Sequence, residues 1–273
     1  MKITQYNTAN SFDSGDVLIK DGTNGTKIIT VEKALEAFIG MIGGAKTRAN
    51  IYRGKNLGTS VTNDQKTAIQ NGTFTDMYIG DYWVINGTTW RIADMDYFYQ
   101  VGDTAFTSHH LVIVPNVKMY DAKMNDTNTT EGGYVGSKMY TENLEQAKTT
   151  ITAAFGSMVK THRDYLTNAV TDGKPSGGAW VDSQVELMNE IMVYGCHIKA
   201  AMGNGTAISN STTAKKQLAL FRLNPAMLNK RETIWLRDVV SSTYFAGVVT
   251  NGLAGNYHAA NDSYGVRPYF VIG

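Results

Sequence analysis

An α+β fold is what this 273-residue sequence predicts, on three observations. Short runs of β-branched and aromatic residues recur along most of the chain, punctuated by Gly-, Asn- and Pro-containing turns. Only a few stretches carry apolar residues at helical spacing. Helices and strands do not alternate regularly, as a parallel α/β array requires.

The first section, residues 1–46, reads as a small hairpin followed by a helix. Residues 17–19 and 28–29 are short strand candidates, and Asp21-Gly22-Thr23-Asn24-Gly25 supplies turn residues between them. Thr30 is placed to cap a helix whose Val31, Leu35, Phe38, Ile39 and Ile42 form one stripe, stopped by Gly43-Gly44. A hairpin and one helix cannot bury that stripe alone. It needs either the main domain or copies of itself.

Residues 47–273 read as the main domain. Thr62 and Gln65 make a capping box before a short helix. Strands follow at 77–79 and 82–85, and Asn86-Gly87 turns the chain into a returning strand at 89–93. Trp83 and Trp90 flank that turn and are expected in the core. Residues 111–114 form a buried strand closed by Pro115. Leu144, Ala147, Ile151, Ala154, Phe155 and Met158 make a helical stripe. Ser183 with Glu186 predicts a second helix carrying Val185, Met188 and Met192, capped by Gly195. Residues 174–178 between these helices are expected to be a loop. A polar loop at 204–213 precedes apolar runs at 218–223 and 234–237 and a terminal strand at 269–272.

Composition narrows the function. Charged residues are only 18% and the net charge is +1, which leaves no basic footprint for nucleic acid. The surface must be built from Asn, Thr, Ser, Gly and Tyr. The single cysteine, Cys196, rules out a disulfide framework and a Cys-rich zinc site, and it is expected to be buried. No apolar secretory segment and no membrane-length apolar run occur, so the expectation is a chain made in a cytosol without membrane insertion.

No catalytic constellation stands out, and neither an enzyme nor a cofactor is expected. His109-His110 point to opposite sides of a strand, and read as one exposed and one buried histidine. Asp94 and Asp96 share a strand face and are the one carboxylate pair for an enzymatic or cation-binding alternative. Asp121, Asn125, Asp126 and Asn128 have the composition of a Ca²⁺ loop without its bidentate Glu and Gly spacing, and read as a solvated loop. Glu186 and Glu190 read as a solvated helix stripe. No metal site is expected.

The C-terminal stretch is the informative one. It opens with Trp235-Leu236-Arg237-Asp238 and closes with Gly265-Val266-Arg267-Pro268. Between Ser241 and Tyr264 there is no Lys, Glu, Gln, Met or Trp. Every residue in that interval can be reached from an Asn codon by changing only its adenines. Adenine-directed rewriting leaves that mark; so does an ordinary small-residue loop.

That framing resembles the C-type-lectin-like domains related to the formylglycine-generating-enzyme fold. In particular it resembles the variable proteins of diversity-generating retroelements and their phage homologues. Ile51-Tyr52-Arg53-Gly54, Gly80-Asp81-Tyr82-Trp83, Trp90-Arg91-Ile92-Ala93 and residues 132–140 (GGYVGSKMY) are similar to phage structural proteins, extending the resemblance over roughly residues 50–273. Residues 16–22 and 28–31 look like the virion-anchoring start of such proteins. The sugar-binding Glu-Pro-Asn and Gln-Pro-Asp motifs of true C-type lectins are absent. So is the cysteine pair of the formylglycine-generating enzymes.

The resemblance implies a phage virion protein, a homotrimer that receives a host cell-surface protein or glycan and joins other virion proteins through its N-terminal segment. Trp235 and the strand around Arg267 would be scaffold, with Arg267 in a buried hydrogen-bond network. The displayed residues would be Thr243, Tyr244, Phe245, Asn251, Asn256, Tyr257, His258, Asn261, Asp262 and Tyr264. Tyr244, Phe245 and Tyr257 would anchor, and the Asn, His and Asp residues would tune polar contacts. The alternatives are a purely structural decoration protein, a cell-wall-acting enzyme using Asp94 and Asp96, and an adhesin outside a phage.

Overall fold

The computed structural model describes residues 17–20, 25, 27–201, 216–261 and 264–273. The turn expected at 21–24, the polar loop at 204–213 and Asp262 lie outside them.

Strands β1 (Val17–Lys20) and β2 (Lys27–Thr30) pair antiparallel and lead directly into α1 (Val31–Met41). The Thr30 hydroxyl accepts from the Lys33 N–H, as its cap position demands. Positive φ at Gly43 and Gly44 ends α1 and starts the short α2 (Gly44–Arg48). Of the predicted stripe only Ile39 is buried.

Helix α3 (Asn63–Gln70) carries the complete capping box of Thr62 and Gln65. Residues 77–79 do not form a ladder strand; Ile79 makes only an isolated bridge to Tyr52. Strands β3 (Tyr82–Ile85) and β4 (Thr88–Met95) are joined by Asn86-Gly87, both at positive φ, as a type I′ turn needs. Trp83 and Trp90 face each other across this pair, both fully buried. Strand β5 (Leu111–Pro115) continues the sheet, while β6 (Tyr120–Asp121) belongs to another. Helix α4 (Leu144–Phe155) lays Phe155 edge-on to Trp90, at 5.6 Å between ring centroids.

Two sequence expectations fail in the next stretch. Residues 174–178 are not a loop: β7 (His162–Thr171) and β8 (Lys174–Ser183), ten residues each, form a hairpin turning at Asp172-Gly173. Nor does a helix start at Ser183. Its hydroxyl donates to the Glu186 carboxylate across β9 (Val185–Leu187), and Asn189 instead caps the short α5 (Glu190–Tyr194), with Gly195 left-handed behind it. Glu186 and Glu190, expected to be solvated, are buried. Cys196, expected to be buried, is exposed. Residues 218–223 hold α6 (Ala219–Leu223).

Strands β10 (Ile234–Val239), β11 (Tyr244–Val248), β12 (Ala254–His258), β13 (Gly265–Val266) and β14 (Pro268–Ile272) complete the chain. Two five-stranded sheets result, ordered β3-β4-β5-β14-β9 and β12-β11-β10-β13-β6. The class is α+β, mostly sheet. Arg267 stands where the chain passes from one sheet to the other. Its Nε donates to the Pro115 carbonyl of β5 and its Nη1 to the Met227 carbonyl. One buried guanidinium thereby fastens the crossover between the two sheets.

Candidate ligand-binding surface

The frame of the candidate surface is buried and hydrogen-bonded. Trp235 is fully buried and its indole N–H donates to the Ala122 carbonyl at 2.7 Å. Two residues on, Arg237 holds Asp164 with two nitrogens, and the Tyr269 hydroxyl donates to the same carboxylate. Glu186 completes this buried group, accepting from the Tyr134 hydroxyl and from Ser183. Burial, with the nearby Asp164 charge adding to it, pushes the Glu186 carboxyl up to about 7. Asp238 accepts from the Glu190 N–H, and burial raises it too to about 7.

On this frame sits the β11–β12 hairpin, with β12 at the sheet edge. Its register pairs Tyr244 with His258, Phe245 with Tyr257 and Ala246 with Asn256. Side chains alternate between faces along a strand, so the predicted residues divide. Tyr244, Asn256 and His258 share one face; the Tyr244 hydroxyl lies 2.8 Å from His258 Nε2 and the rings pack at 4.1 Å. Tyr257 lies on the opposite face with Trp235 and Tyr264, its ring 4.1 Å from that of Tyr264. Gly247 and Gly255 make room for it: a Cβ on either would approach the Tyr257 side chain to 2.9 Å. Burial raises the Tyr257 hydroxyl above its ordinary value.

One predicted anchor is wrong. Phe245 is fully buried, because β11 is an interior strand and Phe245 faces Val239 and the core. Thr243 is half-buried at the strand entrance, its carbonyl accepting from the Ala259 N–H. Asn251 is exposed at the hairpin turn, the far end of the ladder from His258. Asn261 is exposed and donates its N–H to the His258 carbonyl.

Sequence reasoning missed the neighbours. Thr130 holds the 241–242 turn through its N–H on the Ser242 carbonyl and its hydroxyl on the Ser241 carbonyl. Asn128 accepts from the Ala260 N–H. The Asp172-Gly173 tip abuts the same turn, since a Cβ on Gly173 would lie 2.7 Å from the Ser242 nitrogen. The Asp-Gly dipeptide between alternating runs was the available signal for that hairpin.

The other candidates are occupied by their own protein. Asp94 and Asp96 both line a cavity of about 650 Å³, but not as a pair on one strand face. Asp94 follows a bulge in β4 and accepts from the Met95 and Ala219 N–H groups; Asp96 lies beyond the strand at positive φ, accepting from His110 N and lying 2.8 Å from His109 Nδ1. Asn125 ties its own loop, accepting from the Lys138 N–H and donating to the Thr129 carbonyl, and Asp126 pairs with Lys138. Among the described residues no group of three or more His, Cys, Asp or Glu could hold a metal, and no helix is long and apolar enough to cross a membrane.

No family model, curated protein or solved structure matches this chain.

Proposed function

We propose that this chain is a display protein of a bacteriophage particle. In this reading, residues 47–273 form a C-type-lectin-like domain that receives a host-surface protein or glycan on the β11–β12 hairpin. The supporting observation is the hairpin itself. A buried frame of Trp235, Arg237 and Arg267 carries an edge strand whose residues are all half-exposed. Its aromatic and small polar side chains provide contact area at low entropic cost, with adaptable hydrogen bonds. In this reading Tyr244, Asn256 and His258, which share one strand face, act as one contact group. Tyr257 and Tyr264 support the strand from behind and offer a second group.

The test is substitution of Tyr244, Tyr257 and His258 to Ala in the assembled particle. Loss of adhesion to host cells with assembly intact is the expected result. Unchanged adhesion would refute the reading in favour of a decoration protein without a specific ligand.

A further inference from the structure

Helix α1 is docked by one side only. Ile39 is buried, Glu36 accepts from Arg48 at 2.7 Å and from the Tyr78 hydroxyl, and Glu32 pairs with Lys55. Those contacts hold the helix against the domain and turn its remaining apolar side chains outward. Leu35, Phe38 and Ile42 are 53, 56 and 54% exposed, and Met41 is 83% exposed. Of the eleven exposed large hydrophobic residues among the described residues, eight fall between Val17 and Ile51. An apolar groove of about 330 Å³ runs beside them, lined by Leu35, Phe38, Ile39, Ile42 and Ile51.

The outward residues have a definite spacing. Leu35, Phe38 and Ile42 follow one another at intervals of three and four, with half-buried Val31 four residues before them. That is the 3.5-residue repeat with which one helix meets another like it. Hairpin residues Val17 and Ile28 share one face of β1–β2 and are exposed as well. At roughly 150 Å² for a fully exposed large apolar side chain, the six residues Val17, Ile28, Leu35, Phe38, Met41 and Ile42 leave on the order of 500 Å² open, near the ceiling for a lone monomer's largest patch. Two such faces together bring about 1,000 Å², the threshold for a specific association. The preceding segment, MKITQYNTANSFDSGD, has only Met1, Ile3, Tyr6 and Phe12 as large apolar residues and no matching repeat.

We infer that the outward α1 seam is a self-association surface, and that its occupant is the same seam of a second copy of this chain. A two-fold dimer brings the same patch of both subunits together, and an uncharged apolar seam such as this one meets its own copy without like-charge repulsion. The inference concerns a different surface from the β11–β12 hairpin and is read without any ligand.

The experiment is sedimentation equilibrium on the full chain over a wide concentration range. The wild type is expected to show a mass above one chain. Leu35→Glu and Phe38→Glu should each weaken association roughly a hundredfold, as loss of a central anchor does, with the circular dichroism spectrum of a folded chain retained. Leu253→Glu, an exposed apolar residue outside the seam, should leave the mass as in the wild type. A wild type that stays at one chain throughout overturns the inference. So do folded seam variants that associate as tightly as the wild type.

Discussion

Glu186 offers the sharpest test of how this core is held. Its carboxyl is buried, accepts from Tyr134 and Ser183, and feels the charge of Asp164, which Arg237 holds in an ion pair. Burial and Asp164 lift its pKa from 4.5 to about 7 in the folded chain. A carboxyl raised on folding stabilises only while protonated. From pH 5 toward 7 the unfolded chain is ionised there while the folded chain still binds the proton, so stability falls as pH rises and levels off above the folded pKa. Between pH 5 and 8 this costs on the order of 2 kcal/mol. Glu186→Gln keeps the shape and cannot ionise. Urea denaturation at several pH values should show the wild type losing that stability toward pH 8, relative to the variant, with m-values unchanged. Parallel pH profiles for the two proteins would refute the reasoning.

Three further outcomes follow from the geometry. His162 packs among Phe98, Phe106 and Tyr269, and burial lowers its pKa to about 4, so its contribution is lost as pH falls from 6.5 toward 4; His162→Phe should flatten that acid limb in the same denaturation series. If the proposed binding role holds, Gly255→Ala should weaken ligand capture several-fold with little change in Tm, because the new Cβ meets the Tyr257 hydroxyl at 2.9 Å and displaces that ring; unchanged capture would count against a role for Tyr257. Thr62→Ala removes the hydroxyl that accepts from the Gln65 N–H, leaves the backbone N–H of residue 62 on the Gln65 side chain, and should cost about 1 kcal/mol in chemical denaturation.

The local signals that reached the fold intact were those whose physics is local. The Thr62–Gln65 box, the Asn86-Gly87 turn, the α4 stripe and the buried Trp83–Trp90 pair depend on residues near one another in sequence. The failures needed tertiary information. Ser183 and Glu186 have capping-box spacing, but Tyr134, 52 residues earlier in sequence, takes the Glu186 carboxylate and the segment pairs with β14 instead. Phe245 was indistinguishable from Tyr244 in composition, and only the interior position of β11 separates them. The contribution of Thr130 and Asn128 was illegible because they reach the hairpin through backbone carbonyls and N–H groups, which leave no residue pattern.

The same distinction bears on whether the segment is rewritten. All residues from Ser241 to Tyr264 belong to the set reachable from Asn codons, yet Phe245, Ala246, Val248 and Ala259 are fully buried. Composition therefore marks as variable several positions that packing must hold fixed, since enlarging a filled core site typically costs 1–3 kcal/mol. Adenine-directed changes compatible with the fold would have to fall outside residues 245–248, on Asn251, Asn256, His258 and Asn261. A saturation library over 241–261, sorted for folded protein, should tolerate substitution at those four and at Leu253, which is 63% exposed. It should reject most changes at Phe245, Ala246 and Gly247, the last because a Cβ there lies 2.7 Å from the Ile234 carbonyl. Even tolerance across the whole interval would mean that the hairpin does not pack as described. The buried frame under the edge strand would then be lost, and with it the reason for assigning binding to this face.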